Sequence, residues 1–408
     1  MSAALLQSSR DYTPGDANNG RSVLDIYAPR KAKAELDRYR LLSPTAGGKL
    51  IRFLRVSPLC LGAMSFGNQW THYMGKALDL DETRKLLDTF YEAGGNFIDT
   101  ANFYQDEQSE MIIGEWIEEK GIRDEIVLAT KYTACHLDRK EGKFTGIGIN
   151  YGGNHKKSLY HNLERSLKKL RTTYIDLLYV HWWDYSTSIP ELMQSLNDVV
   201  RSGKVLYLGI SDTPAWVVAQ ANEYARHHGL AQFVVYQGMY NLARRDMERD
   251  IIPMARAYGM SIAPWGVLGQ GKFKDPEHLE KQENWRSKAP PSESDLKISR
   301  ALKEVADEIG GNVSLSLPLL VALAWTRHKV ADVFPIVGTN NVAHLQQNIE
   351  ALNIHLTADQ VAKLDKASEF DLGFPYIFFG TDPHYLPGGL SQGTPLEPAG
   401  EIQFKQLA

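Results

Sequence analysis

Cysteine is nearly absent: Cys60 and Cys135 are the only two in 408 residues, too few for a disulfide framework. Neither sits in the Cys/His spacing of a zinc site, so no metal is expected and a reducing cytoplasmic location fits. Long apolar runs are missing too. No segment approaches the roughly 20 apolar residues of a membrane span, and residues 1–9 lack the basic start and apolar stretch of a secretion signal. Charge of one sign is also lacking, since 45 Lys and Arg oppose 49 Asp and Glu for a formal charge of -4. That balance gives no electrostatic reason to expect a nucleic acid or an acidic membrane as partner, and it leaves a small molecule as the expected one. The oligomeric state is not legible.

What is present is the composition of a folded domain, 43% apolar and 23% charged, which excludes a wholly disordered chain. Residues 1–45 carry turn formers (Pro14-Gly15-Asp16, Asn18-Asn19-Gly20) without periodicity and are expected to form an extended arm on or outside the fold. Beyond them, β-type runs alternate with amphipathic helical stretches. The runs fall near residues 57–61, 97–99, 126–130, 175–180, 205–210, 233–236, 261–265 and 333–337. Between them, Asp81 is expected to cap a helix with the stripe Leu86, Leu87 and Phe90, and Pro214 to occupy the first position of another. Eight βα units over residues 46–369 predict an α/β fold, a closed (β/α)8 TIM barrel, followed by a Gly-, Pro- and aromatic-rich tail at 370–408. A doubly wound sheet would have fewer strands and a glycine-rich turn after its first.

In such a barrel the site lies at the C-terminal strand ends. Asp99, Lys131 and His181 fall there, and Tyr104 lies five residues past Asp99. Taken singly, each has an ordinary reading as a cap, a surface charge or a rim residue. Taken together, they form an acid without a nucleophile. A Tyr phenol is a poor acid until an ammonium lowers its pKa; Lys131 can do so, Asp99 can keep Lys131 charged, and His181 can position the reacting oxygen.

Phe97-Ile98-Asp99-Thr100-Ala101 followed by Tyr104, then Ala129-Thr130-Lys131, then Tyr179-Val180-His181-Trp182-Trp183-Asp184 closely resemble, in order, the Asp, Tyr, Lys and His motifs of the aldo-keto reductase superfamily. The likeness runs from about Val56 to Leu352. Within the superfamily the chain is similar to the fungal aryl-alcohol dehydrogenase and norsolorinic acid reductase-like branch. The residues that say so are the string Tyr39 to Gly47, the double Trp after His181, and Phe370 to Pro375. The resemblance implies an oxidoreductase that moves a hydride between a nicotinamide cofactor and a carbonyl, with Tyr104 as proton donor and no metal.

Cofactor contacts implied in the same way fall on Gly62, Ala63, Met64, Asp99, Ser211, Asp212 and Gln237. They continue through Pro264, Trp265, Gly266, Val267, Leu268 and Gly271, then Gly338, Thr339, Asn340, His344, Gln347 and Asn348. Many relatives have Asn where Asp212 stands. An aromatic that stacks on the nicotinamide would align with Ile262, so Trp265 serves only if the strand shifts. Residues 266–272 also fit a P-loop expression, but Phe273 stands where magnesium binding needs Ser or Thr, so ATP is discounted. NADP(H) is the implied cofactor; Asn340, Asn341 and His344 in place of Arg or Lys leave NAD(H) open. Phe66, Trp70, Tyr132, Trp182 and Trp183 are expected around the mouth and favour an aromatic or polyketide-derived aldehyde, ketone or alcohol. Two other readings stand beside this one. A regulatory cofactor-binding relative with little turnover would be distinguished by cofactor consumption with aldehydes, and a glycosidase would need Asp99 and Asp184 to face each other.

Overall fold

The strands Val127–Tyr132 and Ile175–Val180 are buried at every position, because the barrel interior covers one face and a layer of helices the other. The structure, a computed structural model, describes residues 31–43, 54–74, 78–135, 146–274, 279, 290–310 and 317–380. Ala34–Ala408 is one compact unit and carries every element below. In chain order the strands are β1 (Arg40–Leu42), β2 (Leu54–Val56), β3 (Cys60–Gly62), β4 (Phe97–Asp99), β5 (Val127–Tyr132), β6 (Ile175–Val180), β7 (Val205–Ser211), β8 (Phe233–Met239), β9 (Ser261–Trp265) and β10 (Ile336–Val337). The last eight pair in parallel in the order β10-β3-β4-β5-β6-β7-β8-β9, and a bridge between Ile262 and Val333 joins the two ends into a (β/α)8 barrel.

The last strand is shorter than residues 333–337. Val333 bridges to Ile262 while Ile336 and Val337 pair with Cys60 and Leu61, so this stretch stitches two neighbours together rather than following one. Close approach at that seam requires Gly62, where a Cβ would stand 2.7 Å from Ile336 Cγ2.

Helix starts follow local capping. The helix Leu80–Glu92 begins at Asp79, not Asp81: the Asp79 carboxylate accepts from the Glu82 N–H, and the Glu82 side chain accepts from the Asp79 N–H. Pro214 is the cap of Ala215–His228, one place before the position expected. Ser188 caps Ile189–Arg201, and His155 caps Lys156–Lys169 by accepting from the Ser158 N–H. Of the stretch expected as an arm, residues 1–30, 44 and 45 lie outside the described residues, and part of 31–43 packs on the barrel. Leu36 is fully buried, and β1 pairs antiparallel with β2 across the N-terminal ends of the barrel strands, placing Leu42 and Val56 against Phe97, Val127 and Phe334. Among the described residues no helix is long and apolar enough to cross a membrane. Of the stretch expected as a tail, residues 381–408 lie outside the described residues; within 370–380, Phe370 packs against Arg245 and Arg249 and Tyr376–Phe379 form a short helix.

Candidate active site

Alternation along the strands decides what reaches the mouth. Cys60, Phe97, Ala129, Tyr179, Val235 and Ala263 fill the barrel interior. Two residues along, Gly62, Asp99, Lys131, His181, Ser211, Gln237 and Trp265 share that inward face at the C-terminal end. Lys131 is fully buried, with Nζ 2.5 Å from Asp99 Oδ2 and donating to the Thr100 carbonyl at 2.7 Å. The other Asp99 oxygen accepts from Gln237 Nε2 at 2.9 Å. Tyr104 hangs from the loop after β4; its ring lies 5.0 Å from Lys131 Nζ and 5.9 Å, edge-on, from the His181 imidazole.

The electrostatics follow from burial. Burial works against the Lys131 charge, but the attraction of Asp99 and then Tyr104 outweighs it, so the ammonium pKa is raised. Burial also raises the Tyr104 phenol, and Lys131 pulls the other way without winning. Lys131 thus acts in the expected direction, lowering the phenol, but desolvation raises it more, so the net shift is upward and the phenol stays protonated. His181 is driven well below its ordinary value, first by burial and then by the Lys131 charge, so its ring is neutral; Nδ1 is buried without a hydrogen-bond partner. Asp184 does not face Asp99. It accepts from the N–H groups of Asn154, Ser186 and Thr187 and ties its own loop to that of Asn154, which removes the paired carboxylates a glycosidase needs.

Three aromatics expected at the mouth are elsewhere. Phe66, Tyr132 and Trp183 are packed in the layer between barrel and helices, Tyr132 because it alternates with the inward Lys131. Trp70 and Trp182 do border the site: Trp70 lies 6.2 Å from the Tyr104 ring and donates Nε1 to Asp106, and Trp182 lies 4.8 Å from the His181 ring. A residue the sequence pattern does not single out stands between them. Phe103 lies 5.4 Å from Trp70, 5.3 Å from Tyr104 and 5.6 Å from His181. Its adjacency to Tyr104 was the only available signal, and neighbours in a loop need not share a direction.

Residues suited to a nicotinamide dinucleotide line the opposite arc, β7 to β10. Ser211 is buried beside the Asp212 carboxyl, which is pushed up to about 6 chiefly by burial and accepts from Trp265 Nε1 at 3.4 Å. Trp265 faces inward with no shift of strand, whereas Ile262 faces the helices, which corrects the alignment that favoured Ile262. Gly266, Gly269 and Gly271 all have positive φ in the turn after β9, Gly266 and Gly271 half-buried and Gly269 buried against Phe273. Ala63 and Val267 belong to the layer between barrel and helices, not to this face. Gln237 spends its Nε2 on Asp99, and Asn348 is buried. Gly338, Thr339, Asn340 and His344 are at least partly exposed, and Asn341 caps the helix Val342–Glu350. Met64, Leu268 and Gln347 are half-buried, and Pro264 is buried in β9. The donor set fits an anionic dinucleotide with an amide head.

Residues 58–369 match the aldo/keto reductase family. The chain belongs to that family. It is 50% identical over 343 residues to norsolorinic acid reductase B of Dothistroma septosporum, covering 83% of this chain and 84% of that one. It is 47% identical over 369 residues to a Saccharomyces cerevisiae protein carrying the name aryl-alcohol dehydrogenase, with 88% and 95% covered. An aldo-keto reductase of Emericella nidulans is 46% identical over 367 residues, with 89% and 90% covered. Aldo-keto reductase membership makes this an oxidoreductase acting on small molecules and supports a nicotinamide cofactor.

Proposed function

We propose that this aldo-keto reductase interconverts aromatic or polyketide-derived carbonyls and their alcohols, with NADP(H) preferred and NAD(H) accepted. The observation that carries the reading is the buried chain from Asp99 through Lys131 to Tyr104, with His181 edge-on to the phenol. The cofactor supplies the hydride. Ser211, Asp212 and Trp265 would hold its nicotinamide end, the turn from Gly266 to Gly271 its pyrophosphate, and Thr339, Asn340 and His344 its adenosine end. The carbonyl oxygen sits between Tyr104 and His181. As charge develops on that oxygen, Tyr104 gives up its proton to it, and the Lys131 ammonium stabilises the phenolate left behind. Neutral His181 orients the oxygen and does not compete as an acid. Trp70, Phe103 and Trp182 flank the substrate and favour a flat ring.

The names of the relatives support this substrate class. The test is to mix the protein with NADPH or NADH and a panel of aromatic and aliphatic aldehydes and follow cofactor absorbance. Turnover with the aromatic members, faster with NADPH, is expected. Cofactor binding without consumption across the whole panel would overturn the reading in favour of a regulatory protein.

A further inference from the structure

A second group of charges is buried outside the set just described. Glu110, in the helix Gln108–Lys120, is fully buried; Lys169, at the end of Lys156–Lys169, has a side chain 7% exposed; Glu107 is buried between Tyr104 and the first of these helices. Lys169 Nζ lies 2.6 Å from Glu110 Oε2 and 3.0 Å from Glu107 Oε1, and donates to the Asn102 carbonyl at 2.8 Å. Arg165 reaches Glu107 Oε2 at 2.7 Å, and Glu110 Oε1 accepts from Thr130 Oγ1 at 2.6 Å. Taking ions out of water is costly unless they are closely paired, and the surrounding helix layer is otherwise built from residues such as Ile113 and Leu163. The proposed reaction uses none of these charges.

Their contacts say what they do. Asn102 is two residues before Tyr104, and Thr130 is one residue before Lys131. The Asn102 N–H also donates to the Lys131 carbonyl at 3.1 Å. Directly after Tyr104 come three successive non-glycine residues in the left-handed region, Gln105 (φ 52), Asp106 (φ 50) and Glu107 (φ 79). Such residues persist only where outside contacts hold them. Lys169 and Arg165 supply those contacts at Glu107, and Lys169 supplies one at Asn102.

We propose that Lys169 is a positioning residue for proton transfer: through Asn102, Glu107 and Glu110 it fixes the loop that carries Tyr104 against the strand that carries Lys131. The proposal rests on Tyr104 being the proton donor. Misplacing a reacting group by about 1 Å can cost on the order of 10²-fold in rate.

The test uses the full chain with NADPH and benzaldehyde, comparing wild type with Lys169→Met and Lys169→Gln. Three quantities are read: kcat per cofactor-binding site, the cofactor Kd by fluorescence, and the isotope effect with cofactor deuterated at the transferred position. Lys169→Met is expected to lose about 10- to 10²-fold in kcat with Kd changed less than about 2-fold and a larger isotope effect, since the chemical step becomes slower. Lys169→Gln keeps an N–H for the Asn102 carbonyl and recovers part of the loss. An unchanged kcat per site and isotope effect in Lys169→Met would overturn the proposal, because a purely structural role lowers only the number of sites. Should Lys169→Met not fold, Arg165→Met decides, since it loosens Glu107 while leaving Lys169. A smaller loss with a raised isotope effect is expected, and no change overturns the proposal. Tyr104→Phe separates the two readings: if it turns over normally the donor assignment fails, whereas an inactive Tyr104→Phe beside fully active Lys169 variants sinks only the role of Lys169.

Discussion

The two ends of the barrel are built on opposite terms. At the N-terminal end Leu42, Val56, Phe97, Val127 and Phe334 form an apolar cluster, with the Arg40 guanidinium at its edge over Phe334. At the C-terminal end, reached along the same strands, Asp99, Lys131, Tyr104 and His181 are buried together. One end collects the free energy of apolar burial, roughly 25 cal/mol per Å² of apolar surface; the other spends part of it on desolvating polar groups. The lesson is a division of labour along each strand, so substitutions two or three residues apart should fail in different ways.

The sharpest test of that division is Tyr104→Phe. It should cut kcat by about 10² to 10⁴ while cofactor affinity and thermal stability stay near wild type, since only a hydroxyl is lost; steady-state kinetics beside a melting curve reads both. Lys131→Met blurs the contrast by design. It removes the group that favours the phenolate and leaves Asp99 buried with Gln237 alone, so a similar loss of turnover should come with about 3 to 5 kcal/mol of lost stability in denaturant unfolding. At the other end, Leu42→Ala should cost about 2 to 5 kcal/mol through the cavity it leaves, yet keep kcat per folded molecule unchanged. A large kcat effect there would break the comparison.

The two smaller effects concern the cofactor arc. Asn340→Arg should tighten NADPH several-fold and NADH hardly at all, roughly the worth of one charge-assisted contact; equal shifts in the two dissociation constants would place the phosphate elsewhere. Asp212 has a folded pKa raised to about 6, so the folded state favours its neutral form. Its contribution to stability is full below the ordinary carboxylate range and is lost as pH rises through about 6. Cofactor binding should weaken over the same interval as a carboxylate appears beside an anionic ligand. Asp212→Asn should flatten that profile, and a wild-type profile already flat between pH 5 and 7 would refute it.

Much of this was legible in the sequence, for identifiable reasons. Asp99, Lys131 and His181 end short apolar runs, and a parallel barrel leaves strand ends one place to go. The capping box at Asp79 was legible too, since Glu82 stands three residues on, but Asp81 is equally a capping type and competes for the assignment. Phe66, Tyr132 and Trp183 were misplaced because composition marks an aromatic without saying which face it takes. Phe103 escaped because neighbours in a loop need not share a direction, and the Lys169 group because it converges on the left-handed turn at residues 105–107, which Gln, Asp and Glu do not announce.

The seam of the barrel has a consequence for how the chain comes together. Arg40 donates to the carbonyls of Ala331 and Val333 and lies over the Phe334 ring, a contact spanning 293 residues of sequence in the case of Val333. Such contacts form late, because loop-closure entropy must be met before they reward the chain. Until residues 333–337 arrive, β3 and β9 are open sheet edges, the kind that recruit strands from other molecules. The proposed acid and its partners are all synthesised by residue 181. Protection from aggregation waits for residue 337.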